Sequence, residues 1–178
     1  MAKRFVLIDR DGTLNVEKQY LSDPNQLELI PGAAPALKRL QEAGWGICVV
    51  SNQSGIARGC FDLAQVAKVH RRLAEMLAQI DVRLDGIYLC PHGPGDGCDC
   101  RKPLPGMVHQ AMAEHGFDPR RAWVIGDKEA DVGLGHAVGA KSILVRTGYG
   151  RENELNTQAD FIADDLAAAI DLILTNKE

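Results

Sequence analysis

The sequence predicts a three-layer α/β fold of Rossmann-like type with a mostly parallel central sheet. Three observations carry the prediction. Short apolar runs alternate with helical patterns from end to end, the helical patterns begin or end on recognisable caps and breakers, and no repeat, low-complexity tract or linker divides the 178 residues. Such alternation reads as repeated strand-helix units whose helices cover both faces of one sheet.

In chain order, strands are expected at Arg4–Asp9, Gly46–Ser51, Gly86–Cys90, Ala122–Gly126 and Lys141–Val145, with a sixth, edge strand around Phe161. Pro31-Gly32 opens the first helix, which runs to about Ala43 and stops at Gly44, a residue suited to a helix C-terminus. Asp62 is an N-cap for a long helix reaching about Ile80, because its carboxylate can accept from the free N–H groups of the first turn. A third helix starts near Pro105, a fourth after Asp127, and the last covers about Asp165–Leu174. A chain of this length can bury a full core without disulfides, so one domain over residues 1–178 is expected.

Composition narrows the function classes. Apolar residues make up 46% and charged residues 25%, as in an ordinary globular chain, and the net charge of −4 argues against nucleic-acid binding through bulk positive charge. No run approaches the ~20 apolar residues of a membrane span, and the apolar part of Phe5–Ile8 is too short for a signal peptide. A cytoplasmic monomer with neither membrane nor nucleic-acid partner is expected. In a reducing compartment five cysteines do not read as a disulfide framework; Cys48 and Cys60, being isolated, read as small buried hydrophobes. Cys90, His92, Cys98 and Cys100 fall within eleven positions and supply the four ligands that close a tetrahedral zinc site. A closed site leaves no position for a reacting water, which favours structural zinc over catalytic zinc or a redox role.

Open parallel sheets bind ligands beyond the carboxyl ends of their strands, so the residues there are the candidates. The first strand ends in Asp9-Arg10-Asp11-Gly12-Thr13, the second in Ser51-Asn52-Gln53-Ser54, the third leads into the cysteine loop and Arg101-Lys102, and the fourth ends in Gly126-Asp127-Lys128 with Asp131 a turn later. Asp9, Asp11, Asp127 and Asp131 would repel one another without a cation, and an oxygen-rich rim favours Mg²⁺ shared with a phosphate oxygen. Ser51, backbone N–H groups and Lys102 can hold the other phosphoryl oxygens. One carboxylate can attack phosphorus while the second protonates the leaving alkoxide and later deprotonates water.

"FVLIDRDGTLN", "VVSNQSG", "RKP" and "VIGDKEAD" resemble the four motifs of the haloacid dehalogenase superfamily phosphatases, in the same order and over most of the chain. The resemblance implies Asp9 as nucleophile and Asp11 as general acid/base. It implies Mg²⁺ held by the Asp9 carboxylate, the Asp11 carbonyl and Asp127, with Asp131 in its outer shell, and the phosphoryl group held by Ser51 and Lys102. The cysteine loop is similar to the zinc loop of the D-glycero-D-manno-heptose 1,7-bisphosphate phosphatases, and histidinol-phosphate phosphatases share much of the pattern. That subgroup implies removal of the C7 phosphate of the bisphosphosugar, leaving heptose 1-phosphate for nucleotide-activated heptose synthesis.

Only about twenty residues separate Asp11 from the Pro31-Gly32 helix start, and one helix and one strand fill Ser54 to Cys90, so a capless member of the superfamily is expected. Loops must then select a small phosphorylated sugar. The candidates are Arg10, Glu17, Lys18, Gln19, Tyr20, Asn52, Gln53, Ser54, Arg101 and Lys128, with Arg101 favoured because a planar guanidinium grips phosphate oxygens in pairs. Tyr20 is as well suited to packing as to substrate contact. His70, His109, His115 and His136 lack a second ligand at metal spacing, and Arg71-Arg72 and Arg120-Arg121 read as solvated pairs. Three alternatives stay open: a histidinol-phosphate phosphatase, a polynucleotide 3'-phosphatase, and a non-catalytic phospho-accepting or phosphosugar-binding module.

Overall fold

A computed structural model describes residues 3–176. Six strands form one sheet: β1 (Phe5–Ile8), β2 (Gly46–Asn52), β3 (Gly86–Cys90), β4 (Trp123–Gly126), β5 (Lys141–Val145) and β6 (Phe161–Ala163). Their order is β3-β2-β1-β4-β5-β6, and every pairing is parallel. The helices are α1 (Ala33–Glu42), α2 (Leu63–Ala78), α3 (Gly106–His115), α4 (Glu129–Val138), α5 (Gly150–Asn153) and α6 (Leu166–Thr175). All five expected helices and six expected strands are present, within about two residues at each end.

Alternation along the strands divides the interior. Val6 and Ile8 of β1, Ile47 and Val49 of β2, and Trp123 and Ile125 of β4 join α1, α2 and α6 on one face. Phe5, Leu7, Cys48, Val50 and Val124 point the other way, into a second cluster completed by α3 and α4. Strands buried on both faces need apolar residues at successive positions, which is why Phe5-Val6-Leu7-Ile8 carries no polar residue.

The caps set where helices start. The Asp62 carboxylate accepts from Gln65 N–H at 2.8 Å while the Gln65 side chain accepts from Asp62 N–H at 2.9 Å, a reciprocal pair that begins α2 one residue after the expected cap. Pro31 does not enter α1, because Gly32 takes a left-handed φ of 82° and helical geometry starts at Ala33. Between β1 and α1 the chain folds back on itself, with Val16 N–H bonded to Glu28 O and Ile30 N–H to Leu14 O, and holds only a 3-10 turn at Pro24–Gln26. Among the described residues no inserted domain covers the carboxyl ends of the strands, as expected of a capless fold.

At the opposite end of the sheet, Asp160 ties β5 to the segment before β6 by accepting from Ser142 N–H at 2.7 Å and Ser142 Oγ at 2.8 Å. Burial alone would raise its pKa, but the Ser142 hydrogen bonds and the nearby His136 hold it below the usual carboxylate value. A depressed folded-state pKa contributes stability above the unfolded value of about 3.9 and loses it as pH falls further. Asp160→Asn is therefore expected to flatten the fall in Tm between pH 5 and pH 3, checked by thermal melts of both proteins across that window.

Candidate active site

The strand order reverses between β1 and β4, where the connections leave toward opposite edges and open a crevice. Asp9 follows β1 directly, and its N–H bonds Ile125 O at 2.8 Å, extending the β1–β4 ladder by one residue to aim the carboxylate into that crevice. Gly12 then turns the chain with φ 86°, and a Cβ there would stand 2.3 Å from Asp127 Oδ2. The turn needs glycine for its backbone and for its closeness to Asp127. Gly12→Ala is expected to lower kcat at least about tenfold and Tm by several degrees, since it adds strain and displaces Asp127; steady-state kinetics with calorimetry would check both.

A cavity of about 440 Å³ lies over this crevice, lined by Asp9, Asp11, Glu17, Gln19, Tyr20, Asn52, Gln53, Ser54, Lys102, Lys128 and Asp131 from the expected set, together with Leu21, Gly55, Ala130 and Tyr149. Lys102 is its buried cation. The ammonium donates to Asp9 Oδ1 at 2.6 Å, Asp131 Oδ1 at 2.6 Å and Val50 O at 2.8 Å, which occupies all three of its protons. Burial opposes the charge, but the Asp131 and Asp9 carboxylates outweigh it and raise the Lys102 pKa, so the side chain stays cationic. Asn52 lines the cavity yet spends its amide on the Lys102 backbone, with Lys102 N–H donating to its Oδ1 at 3.0 Å and its Nδ2 donating to Lys102 O at 3.2 Å. It fixes the base of the lysine.

Asp9, Asp127 and Asp131 each present a carboxylate oxygen, all within 4.8 Å of one another. Burial, and then the Asp9 charge, push Asp127 up to about 8; burial raises Asp131 to about 6 against the pull of Lys102. Asp127 Oδ2 accepts from Tyr149 N–H at 2.8 Å, whereas Oδ1 is buried without a hydrogen-bond partner. A cluster of acids with one orphaned oxygen is what a hard divalent cation such as Mg²⁺ would satisfy, so the residues fit the ion. Asp11 is turned away from this cluster. Its carboxylate accepts from Arg10, from Asn15 Nδ2 at 3.0 Å and from Gln53 Nε2 at 2.9 Å, and Gln53 also donates to Ser51 Oγ at 2.7 Å. Although burial would raise its pKa, Arg10 and the hydrogen bonds from Arg10, Asn15 and Gln53 keep Asp11 below the ordinary carboxylate value.

The cysteine loop brings its four ligands together beside this pocket. Cys90 Sγ lies 3.7 Å from Cys98 Sγ and 3.1 Å from Cys100 Sγ, while His92 Nδ1 lies 3.5 Å from Cys90 Sγ and 3.3 Å from Cys100 Sγ. The edges of a tetrahedral zinc site built on Zn–S of about 2.3 Å and Zn–N of about 2.0 Å are about 3.5 to 3.8 Å, so these atoms fit zinc after a small expansion. Among the described residues Cys48 is buried, as expected, whereas Cys60 is exposed and not the buried hydrophobe that isolation suggested.

Three expected substrate contacts lie outside the cavity. Arg10 is fully buried, because the residue after Asp9 alternates away from it, and its guanidinium is committed to Asp11. Lys18 pairs with Glu28 at 3.1 Å across the folded-back segment. Arg101 donates from Nη1 to His92 O at 3.0 Å, bracing the cysteine loop in place of reaching the cavity. Ser51 is also buried, set behind Gln53. Two residues went unnoticed in the sequence: Asn15, which holds Asp11, and Tyr149, which caps Asp127 and lies under the Lys128 ammonium at 4.6 Å. A signal for Tyr149 existed in the carboxyl end of β5, which reaches the same rim in Arg146-Thr147-Gly148-Tyr149. Tyr20 contacts the cavity and also packs beside Phe61 at 6.4 Å between ring centres.

The HAD-hydrolase-like family model matches residues 99–169. A D-glycero-beta-D-manno-heptose-1,7-bisphosphate 7-phosphatase of Pseudomonas aeruginosa is 40% identical over 177 residues, covering 98% of this chain and 99% of its own. A D-glycero-D-manno-heptose-1,7-bisphosphate 7-phosphatase of Thermosynechococcus vestitus is 40% identical, with 99% and 98% covered. Among solved structures, a D,D-heptose 1,7-bisphosphate phosphatase of Bordetella bronchiseptica complexed with magnesium and phosphate superposes with a TM-score of 0.90 at 35% identity, over 96% of this chain and 98% of that one. Near-complete coverage at these identities, on a shared fold whose acidic crevice suits magnesium and phosphate, settles the relationship: the chain belongs to the haloacid dehalogenase-like hydrolases, in the family of the heptose-1,7-bisphosphate 7-phosphatases.

Proposed function

We propose that this chain is a phosphomonoester hydrolase that removes the C7 phosphate of D-glycero-β-D-manno-heptose 1,7-bisphosphate and leaves heptose 1-phosphate. The observation that carries the reading is the crevice itself, where Asp9 shares one ammonium with Asp131 beside the orphaned oxygen of Asp127. The β anomer is the one in the name of the Pseudomonas relative. A bound Mg²⁺, held by Asp9, Asp127 and the Asp11 carbonyl with Asp131 behind them, would neutralise the acids and polarise the phosphoryl oxygens.

The chain's own residues supply the rest. The Asp9 carboxylate attacks phosphorus in line with the C7 oxygen, forming the acyl phosphate as the P–O bond to the sugar breaks. Asp11, held low in the free enzyme, takes up a proton as the negatively charged phosphate enters beside it and raises its pKa, and gives that proton to the departing alkoxide; it then takes one from the water that attacks the acyl phosphate, so Asp9 is regenerated and inorganic phosphate is released. Lys102, already 2.6 Å from Asp9 Oδ1, lies within reach of a phosphoryl oxygen attached to Asp9 and keeps its charge throughout. Ser51, whose hydroxyl accepts from Gln53 and keeps its own proton free, would donate to the same group as the phosphoryl enters the crevice. Lys128, Gln19, Tyr20 and Ser54 face the remainder of the sugar and its C1 phosphate from the cavity wall.

In this reading residues 1–178 form one hydrolase domain, working as a cytoplasmic monomer without nucleic-acid or membrane partners. The single sheet with a core on each face and the net charge of −4 support it. No helix among the described residues is long and apolar enough to cross a membrane. Phosphorus NMR of the products tests the regiochemistry: the expected outcome is one equivalent of inorganic phosphate and a sugar keeping its anomeric phosphate. Loss of the anomeric phosphate would contradict it.

A further inference from the structure

A residue with no assigned part in the chemistry is the largest fully buried side chain among the described residues. Arg10 stands between the two reacting acids in sequence and has no exposed surface. Its guanidinium folds back over the next residue, with Nε 3.1 Å from both oxygens of Asp11 and Nη2 2.7 Å from Oδ2. Nη1 is buried and makes no hydrogen bond. Such an arrangement is poor as a stabilising device. Desolvating a guanidinium costs as much as one ion pair typically returns, and an apolar residue of similar volume would serve the core as well or better. What the arginine adds is geometry, since a planar fork fixes the plane of a carboxylate where a point charge does not.

The other contacts share that effect. Asn15 Nδ2 is anchored on Val16 O at 3.0 Å and reaches Asp11 Oδ1; Gln53 Nε2 bridges Asp11 Oδ2 to Ser51 Oγ. Asp11 thus meets donors from three residues, and Gln53 links its orientation to the hydroxyl that holds the phosphoryl group. We infer that Arg10, aided by Asn15 and Gln53, is a positioning residue: it does not touch substrate but fixes the plane of the Asp11 carboxylate, so that one oxygen meets first the leaving alkoxide and then the hydrolytic water. The inference rests on Asp11 being the proton carrier of the proposed reaction.

The test compares Arg10→Met and Asp11→Asn with the parent enzyme on two substrates, heptose 1,7-bisphosphate and p-nitrophenyl phosphate. The nitrophenolate leaves without being protonated, whereas the sugar alkoxide does not, and kcat/KM reports the steps up to its departure. For Arg10→Met, kcat/KM with the sugar is expected to fall about a hundredfold, the scale for misplacing a reacting group by about 1 Å, and with p-nitrophenyl phosphate by less than about threefold. Asp11→Asn should show the same contrast more strongly. Equal losses on both substrates, or none on either, for Arg10→Met while Asp11→Asn keeps the contrast would overturn the positioning role alone; absence of the contrast in Asp11→Asn would overturn the proton-carrier reading beneath it. Should Arg10→Met not fold, Arg10→Lys is measured instead, since it keeps the charge and loses the fork. The same contrast at smaller size supports the inference, and parent-like values on both substrates overturn it.

Discussion

Asp9→Asn is expected to lower kcat by at least about three orders of magnitude, or about 4 kcal/mol of transition-state stabilisation, with the fold intact. The substitution is nearly isosteric, so the crevice keeps its shape, but a carboxamide neither attacks phosphorus nor carries the charge that pairs with Lys102. The ammonium retains Asp131 Oδ1 and Val50 O as acceptors, so no unpaired charge is left buried. Replacing Asp9 also removes the neighbouring negative charge that helps push Asp127 up to about 8, and Asp127 should ionise more readily in the variant. Rapid-quench kinetics with 32P-labelled substrate checks the effect, because the parent enzyme should form an acid-stable phosphoprotein that Asp9→Asn does not. A variant with parent-like turnover would remove Asp9 from the chemistry.

The second large effect is expected from the zinc loop. Cys100→Ser should lose the metal, lower Tm by about 10 °C on the scale of 2–4 °C per kcal/mol, and reduce kcat at least about tenfold. The activity loss arises because Cys100 immediately precedes Arg101, which grips His92 O, and Lys102, whose backbone is clamped by Asn52. Freed from zinc, this segment must order before the ammonium reaches its place. Burial raises the Cys100 thiol to about 12 and also raises Cys90, so zinc must displace their protons and its affinity should weaken as pH falls. Metal analysis, thermal melts and kinetics on one preparation check the three effects together; full activity without zinc would contradict the positioning role of the loop.

Much of this architecture was legible in the sequence because it depends on strong local signals. Apolar runs marked the strands, Asp62 and Gly44 marked helix ends, and the placement of Asp9, Ser51 and Asp127 at the carboxyl ends of three strands followed from topology, whereas Lys102 reaches the same rim from the loop after β3. Side-chain direction was less legible. Arg10, Lys18 and Arg101 read as substrate contacts in the sequence because they are cations near the rim, but each has a partner whose proximity depends on how the chain folds: Asp11, Glu28 and His92 O. Arg10 was the most recoverable, since alternation after β1 turns it away from Asp9. Tyr149 was missed because its principal contribution is a backbone N–H, which residue identity does not advertise. Asn52 shows the converse: an amide at a strand end invites a ligand, yet here it is consumed by the Lys102 peptide groups.

Hydrolysis of a heptose bisphosphate in this crevice predicts how kcat/KM ranks the candidate substrates. The most direct test measures kcat/KM with Mg²⁺ for both anomers of heptose 1,7-bisphosphate, for histidinol phosphate and for a 3'-phosphorylated oligonucleotide. The β-heptose bisphosphate is expected to exceed the last two by at least about a hundredfold, a margin of about 2.7 kcal/mol. Equal or greater efficiency on histidinol phosphate or on the oligonucleotide would contradict it.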